Sequence, residues 1–141
     1  MKKVNLELSA DQYKELLKLV YVGDWVIDEP ENMVLNDLVQ TIFSKADEAG
    51  MKKLVEMDDD LGLFLPSQEL DEEVITIIND YEDECFWDTL IFGLSERDAE
   101  KKLGKELEKM SMDEKLEILE PYSKKYIDEF EKNGLDNVKV K

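Results

Sequence analysis

The sequence predicts a mainly helical fold, a compact bundle of about five helices forming a single domain over residues 1–141. Three observations predict it. Apolar residues recur at helical spacing, most densely between Asp80 and Asp98. There Phe86, Trp87, Leu90, Ile91 and Leu94 fall at i, i+1, i+4, i+5 and i+8 and share one helix face. Helix starts are also encoded: Ser9 is followed three residues on by Gln12, and Ser111 by Glu114, the spacing of a capping box. Finally, hydrophobic residues make up 43% of the chain against 38% charged, which is enough apolar side chain for one core at this length.

Taken in order, Val4, Leu6 and Leu8 alternate with polar residues, as in a half-buried strand. Ser9 then starts a helix at Ala10, whose face is Tyr13, Leu16, Leu17, Val20 and Asp24, four of the five apolar. Gly23 weakens the late part of this run, and Pro30 ends it. A second helix is predicted from about Asn32 to Ala49, with a stripe of Val34, Leu35, Leu38, Val39, Ile42, Phe43 and Ala46 and with Gly50 as its C-terminal cap. The following stretch has no helical period. Leu61, Leu63 and Leu65 alternate there, which suits a short strand or a buried extended loop.

A third helix is predicted over about Gln68 to Tyr81. Its β-branched run from Val74 to Ile78 also suits a buried strand, but acidic helix formers on both sides favour the helix. The fourth runs from about Glu84 to Leu94, capped by Asp83 and closed by Ser95, with a further turn or two from Glu96 to Leu103 ending at Gly104. The last helix follows Ser111 and ends at Gly134. Pro121 lies inside it and is expected to kink or break it, because proline cannot donate to the Glu117 carbonyl. Val138 and Val140 alternate with lysines, so residues 4–8 and 137–141 are expected to pair as a small sheet.

Composition excludes several chemistries. There is no histidine, which removes a Ser-His-Asp triad, a Cys-His pair, a histidine-bearing zinc site and the usual di-iron bundle. Cys85 is the only cysteine, so no internal disulfide or multi-cysteine metal site exists, and a reducing, cytoplasmic setting is expected. A reactive thiol needs nearby positive charge, which the stretch around Cys85 lacks. The start has a basic pair but no apolar run behind it, so no signal peptide is read. No apolar run approaches the ~20 residues of a membrane span. The net charge of −18 repels nucleic acid and anionic membranes, since phosphate binding needs lysine and arginine to displace counterions. The glycine-rich phosphate loops are absent, and no cofactor is implied.

The charge is concentrated. From Glu56 to Glu100 there are 16 acids and one base, Arg97. One reading is solvated helix faces; the sharper one is an acidic docking surface for a basic protein. On the sharper reading Asp71, Glu72, Asp80, Glu84 and Asp88 are the partner-binding candidates, because they are read as lying opposite the apolar stripes of two successive helices. Asp58, Asp59 and Asp60 are candidate metal ligands, although no register of an EF-hand loop fits them. Arg97, set among carboxylates, is expected to pair with one or two of them as a structural staple. Trp25 and Trp87 are expected as core anchors, with an exposed tryptophan at a partner interface as the alternative.

The segments LVYVGDWV (Leu19 to Val26), FWDTLIFGLSERD (Phe86 to Asp98) and EFEKNGLDNV (Glu129 to Val138) resemble a group of small uncharacterised bacterial helical proteins. The resemblance implies a single soluble domain and carries no chemistry. Two functions remain from the residues themselves. One is a non-enzymatic interaction or regulatory domain, of which an inhibitor or immunity-type protein occupying a basic site is one form. The other is a small carboxylate-metal enzyme using Mg²⁺ or Ca²⁺ on a phosphate-type ligand.

Overall fold

A computed structural model of the chain describes residue 2 and residues 4–139. Among these residues the order is α1 (Ala10–Ile27), α2 (Met33–Phe43), a 3₁₀ turn (Lys52–Leu54), β1 (Val55–Asp58), β2 (Leu63–Pro66), α3 (Gln68–Leu103), a second 3₁₀ turn (Gly104–Lys109) and α4 (Met112–Asn133). The mainly helical class holds, with four α-helices and a small antiparallel sheet among the described residues. None of these helices is long and apolar enough to cross a membrane. The chain divides into two compact units, Met1–Asp80 and Tyr81–Lys141, with α3 contributing to both.

In the first unit, local signals set the helix starts. The Ser9 hydroxyl accepts from the Gln12 N–H, and the Gln12 side chain accepts in return from the Ser9 N–H. Asn32 caps α2 by accepting from the Leu35 N–H at 3.1 Å. α2 is shorter than its apolar stripe suggested. It ends at Phe43, and the chain continues in turns to Gly50, which takes a left-handed φ of 73° while the Met51 N–H closes back on the Ala46 carbonyl. The stripe is also only partly buried. Val39, Phe43 and Ala46 are buried, whereas Val34 and Leu38 face solvent. The core here consists of Tyr13, Leu17, Val39, Phe43, Ala46, Leu54, Val55, Leu70, Val74 and Ile78.

Residues 4–8 form no strand, so the expected terminal sheet is corrected; Val140 and Lys141 lie outside the described residues. The sheet is instead the hairpin β1–β2, with Glu56 opposite Leu65 and Met57 opposite Phe64. Its turn is closed by the Asp58 carboxylate, which accepts from the N–H groups of Asp60 and Leu61, both at 2.9 Å. Gly62 supplies the left-handed residue.

α3 corrects a further expectation. Two helices were predicted, broken near Asp83, but a single 36-residue helix runs from Gln68 to Leu103. No glycine or proline interrupts the sequence between Gln68 and Phe92, and the acids at 82–84 are compatible with a helix interior. Val74 to Ile78 is helical, as the flanking acids suggested.

In the second unit the apolar face at 86–91 is only partly buried. Phe86 is 48% exposed, while Trp87, Leu90 and Ile91 are half-buried. Burial centres instead on Ala99, Leu107 and Leu119. Trp87 packs against Phe86 and Phe130, with ring centroids 5.0 and 5.4 Å apart. α4 begins at the Ser111–Glu114 capping box, and Pro121 sits within it without ending it. The exposed position of Pro121 leaves the freed Glu117 carbonyl to water.

Candidate functional site

The five predicted docking carboxylates have different fates. Asp71 is three residues before Val74 and seven before Ile78, so it lies beside the buried stripe of α3 rather than opposite it. There it accepts a hydrogen bond from the Tyr21 hydroxyl. Burial, with this carboxylate adding to it, pushes the Tyr21 hydroxyl up to about 12. Glu72 is exposed and accepts from the Gln68 side chain at 2.8 Å. Its neighbour Glu73 bridges Lys14 and Lys18 of α1, both at 3.0 Å, and these two ammonium groups hold its carboxyl below the ordinary range. Asp80, Glu84 and Asp88 are exposed and form no ion pair among the described residues.

The metal candidates do not assemble. Asp58 uses its carboxylate to close the hairpin turn, and Asp59 and Asp60 are exposed. No group of three potential ligands of the His, Cys, Asp and Glu type comes together among the described residues.

Arg97 pairs with a carboxylate, as its setting suggested. Its Nη2 donates to Asp98 at 2.8 Å and to the Tyr126 hydroxyl at 2.9 Å, while that hydroxyl donates to Asp98 at 2.5 Å. Lys101 and Lys125 stand 3.6 and 3.9 Å from the same carboxylate. The Tyr126 hydroxyl and then Arg97 lower the Asp98 carboxyl to about 2. One turn earlier, Ser95 donates to the Ile91 carbonyl and accepts from Ser123. This cluster joins α3 to α4 and neutralises the Asp98 carboxylate.

The corner between α1 and α2 differs. α1 ends with Asp28 in the left-handed region, at φ 45°, its N–H on the Asp24 carbonyl. At this corner is a cleft of about 470 Å³ lined by Asp24, Asp28 and Glu29, by the apolar Pro30, Met33, Val39 and Leu63, and by Asn36 and Gln40.

The amides in this wall are already engaged. Asn36 donates to the Pro30 carbonyl at 2.9 Å. The Gln40 amide donates to the Phe64 carbonyl at 3.0 Å and accepts from the Phe64 N–H at 2.8 Å. That pairing follows from the hairpin register. Ser67 donates to the Leu54 carbonyl, so alternate pairs bond across the hairpin and Phe64 turns both its backbone groups outward, where Gln40 closes the sheet edge. No Lys or Arg forms an ion pair with Asp24, Asp28 or Glu29 among the described residues. Trp25, Val34 and Leu38 add exposed apolar surface on the same two helices. Trp25, expected as a core anchor, is 48% exposed.

This corner lies outside the acidic 56–100 segment. Its signal is present in the sequence: five acids (Asp24, Asp28, Glu29, Glu31 and Asp37) fall between Lys18 and Lys45 with no base among them. No protein-family model, curated protein or solved structure matches the chain.

Proposed function

We propose that this chain is a non-enzymatic interaction or regulatory domain that binds a basic protein, in the manner of an inhibitor or immunity-type protein occupying a cationic site. The setting proposed is the cytoplasm. The observation that carries the reading is the division among its carboxylates. Asp98 and Glu73 are neutralised by cations of the same unit, whereas Asp80, Glu84 and Asp88 stand exposed without an ion pair among the described residues. Unpaired surface charge of one sign lowers the stability of the free protein and speeds encounter with a partner of the other sign.

Calorimetry on the full chain tests the reading. Titration with a short peptide alternating leucine with arginine is expected to give heat that shrinks as NaCl rises. Titration with Mg²⁺, Mn²⁺ or Ca²⁺ is expected to give none. Saturable heat with one of the ions and none with the peptide would instead favour a carboxylate-metal protein.

A further inference from the structure

We infer that the outer edge of β1 is where the basic partner docks, as an added strand with apolar and basic residues in alternation. The inference rests on the interaction reading above and gives it a location. The two edges of the hairpin are built differently. With the Ser67 N–H on the Leu54 carbonyl, the pairs that bond across it are Glu56–Leu65 and Asp58–Leu63. Val55 and Met57 therefore turn their backbone groups away from β2, as Phe64 and Pro66 turn theirs away from β1. The β2 edge is closed: Gln40 engages both backbone groups of Phe64, and Pro66 has no N–H to offer. On the β1 edge only the Val55 N–H is engaged, by the Lys52 carbonyl. The Met57 N–H and carbonyl and the Val55 carbonyl have no partner among the described residues. Glu56 and Met57 are exposed, so the edge is accessible.

An open strand edge selects extended backbone, which presents donors and acceptors at the matching spacing. An antiparallel strand gives Met57 two bonds to the residue opposite it and the Val55 carbonyl a third. Side chains then decide which strand fits. Glu56 and Asp58 share one face of β1, and Met57 lies on the other with the buried Val55. Within the hairpin Glu56 faces Leu65 and Asp58 faces Leu63, so neither meets a counter-charge there. Neither forms an ion pair among the described residues. Of the two lysines just before β1, Lys53 is paired with Glu69 at 2.7 Å. A strand with basic residues opposite Glu56 and Asp58, and an apolar one between them opposite Met57, supplies what the edge lacks. A second copy docking by its own β1 would set the 56 and 58 carboxylates of the two copies against each other, which is destabilising.

The test is a titration of ¹⁵N-labelled full-length protein with the leucine–arginine peptide, followed by amide chemical shifts. Shifts are expected to concentrate from Val55 to Asp58. In this register the leucine N–H groups face β1 and the arginine N–H groups face away. N-methylation of every leucine is therefore expected to weaken binding by about tenfold or more, and N-methylation of every arginine by about twofold or less. Both peptides keep their charge, and the protein is unaltered. Met57→Pro should also weaken binding by about tenfold, since that N–H faces away from the hairpin and proline is tolerated at such an edge position. Shifts confined to Asp80 through Asp88 would overturn the β1 edge while leaving the basic-partner reading intact. No shifts anywhere would overturn both. Equal effects of the two methylation patterns would overturn strand addition, and equal binding of a citrulline-for-arginine peptide would overturn the charge match. Shifts at Met57 that follow protein concentration without peptide would assign the edge to a second copy and overturn the proposal.

Discussion

Two acidic places in this molecule are built in opposite ways. Around Asp98, the carboxylate is met by Arg97, Tyr126, Lys101 and Lys125. At the α1–α2 corner, Asp24, Asp28 and Glu29 line an apolar cleft whose amides are already bonded, with no cation paired to them among the described residues. Both hold carboxylates, but the first spends its charge on joining two helices, and the second has no counter-charge among the described residues. A count of acids cannot separate these cases. Whether each carboxylate finds its counter-charge internally does.

The largest expected effect that would sharpen this contrast lies in the cleft wall. Gln40→Ala strips both hydrogen bonds from the Phe64 backbone, and leaving those groups unsatisfied should cost about 1–3 kcal/mol. Urea unfolding measures it. A loss well under that range would mean that water replaces Gln40 and that the wall is not held by this amide.

The smaller effect concerns Asp98. Its carboxyl is depressed from 3.8 to about 2, so its contribution to stability is present above pH ~4 and is lost as pH falls toward 2. Tyr126→Phe removes the hydroxyl that contributes most to that depression. The variant should therefore have a lower thermal midpoint at pH 7 and a shallower fall between pH 4 and 2. An unchanged acid profile would show that the Asp98 cluster is not the neutralised, structural counterpart it is taken for.

How much of this was legible in the sequence depended on how local each feature is. The caps at Ser9, Ser111 and Gly134 are written in neighbouring residues and appear at those places, whereas Gly50 does not cap α2, which ends at Phe43 with Ser44 as its cap. The strand containing Leu63 and Leu65 was visible by alternation. Its partner β1 was not, because four residues with one buried side chain carry little pattern. The continuity of α3 was missed by reading Asp83 as a cap, although an acid is equally at home inside a helix. Phe86 and Leu38 show the limit of periodicity, which locates an apolar face but not what covers it. The cleft was out of reach for a different reason. Leu63 and Gln40 meet α1 residues only through the fold, and the engagement of Gln40 by Phe64 depends on hairpin register.

The most direct measurement of the central claim, that unpaired carboxylates recruit a basic partner, is the association rate of the arginine-bearing peptide as a function of salt. Stopped-flow mixing over 0.01 to 1 M NaCl spans Debye lengths from ~30 to ~3 Å. The account predicts an association rate that falls steeply over this range while the dissociation rate changes little. An association rate that stays flat with salt would contradict it, and the acids would then be no more than a solvated surface.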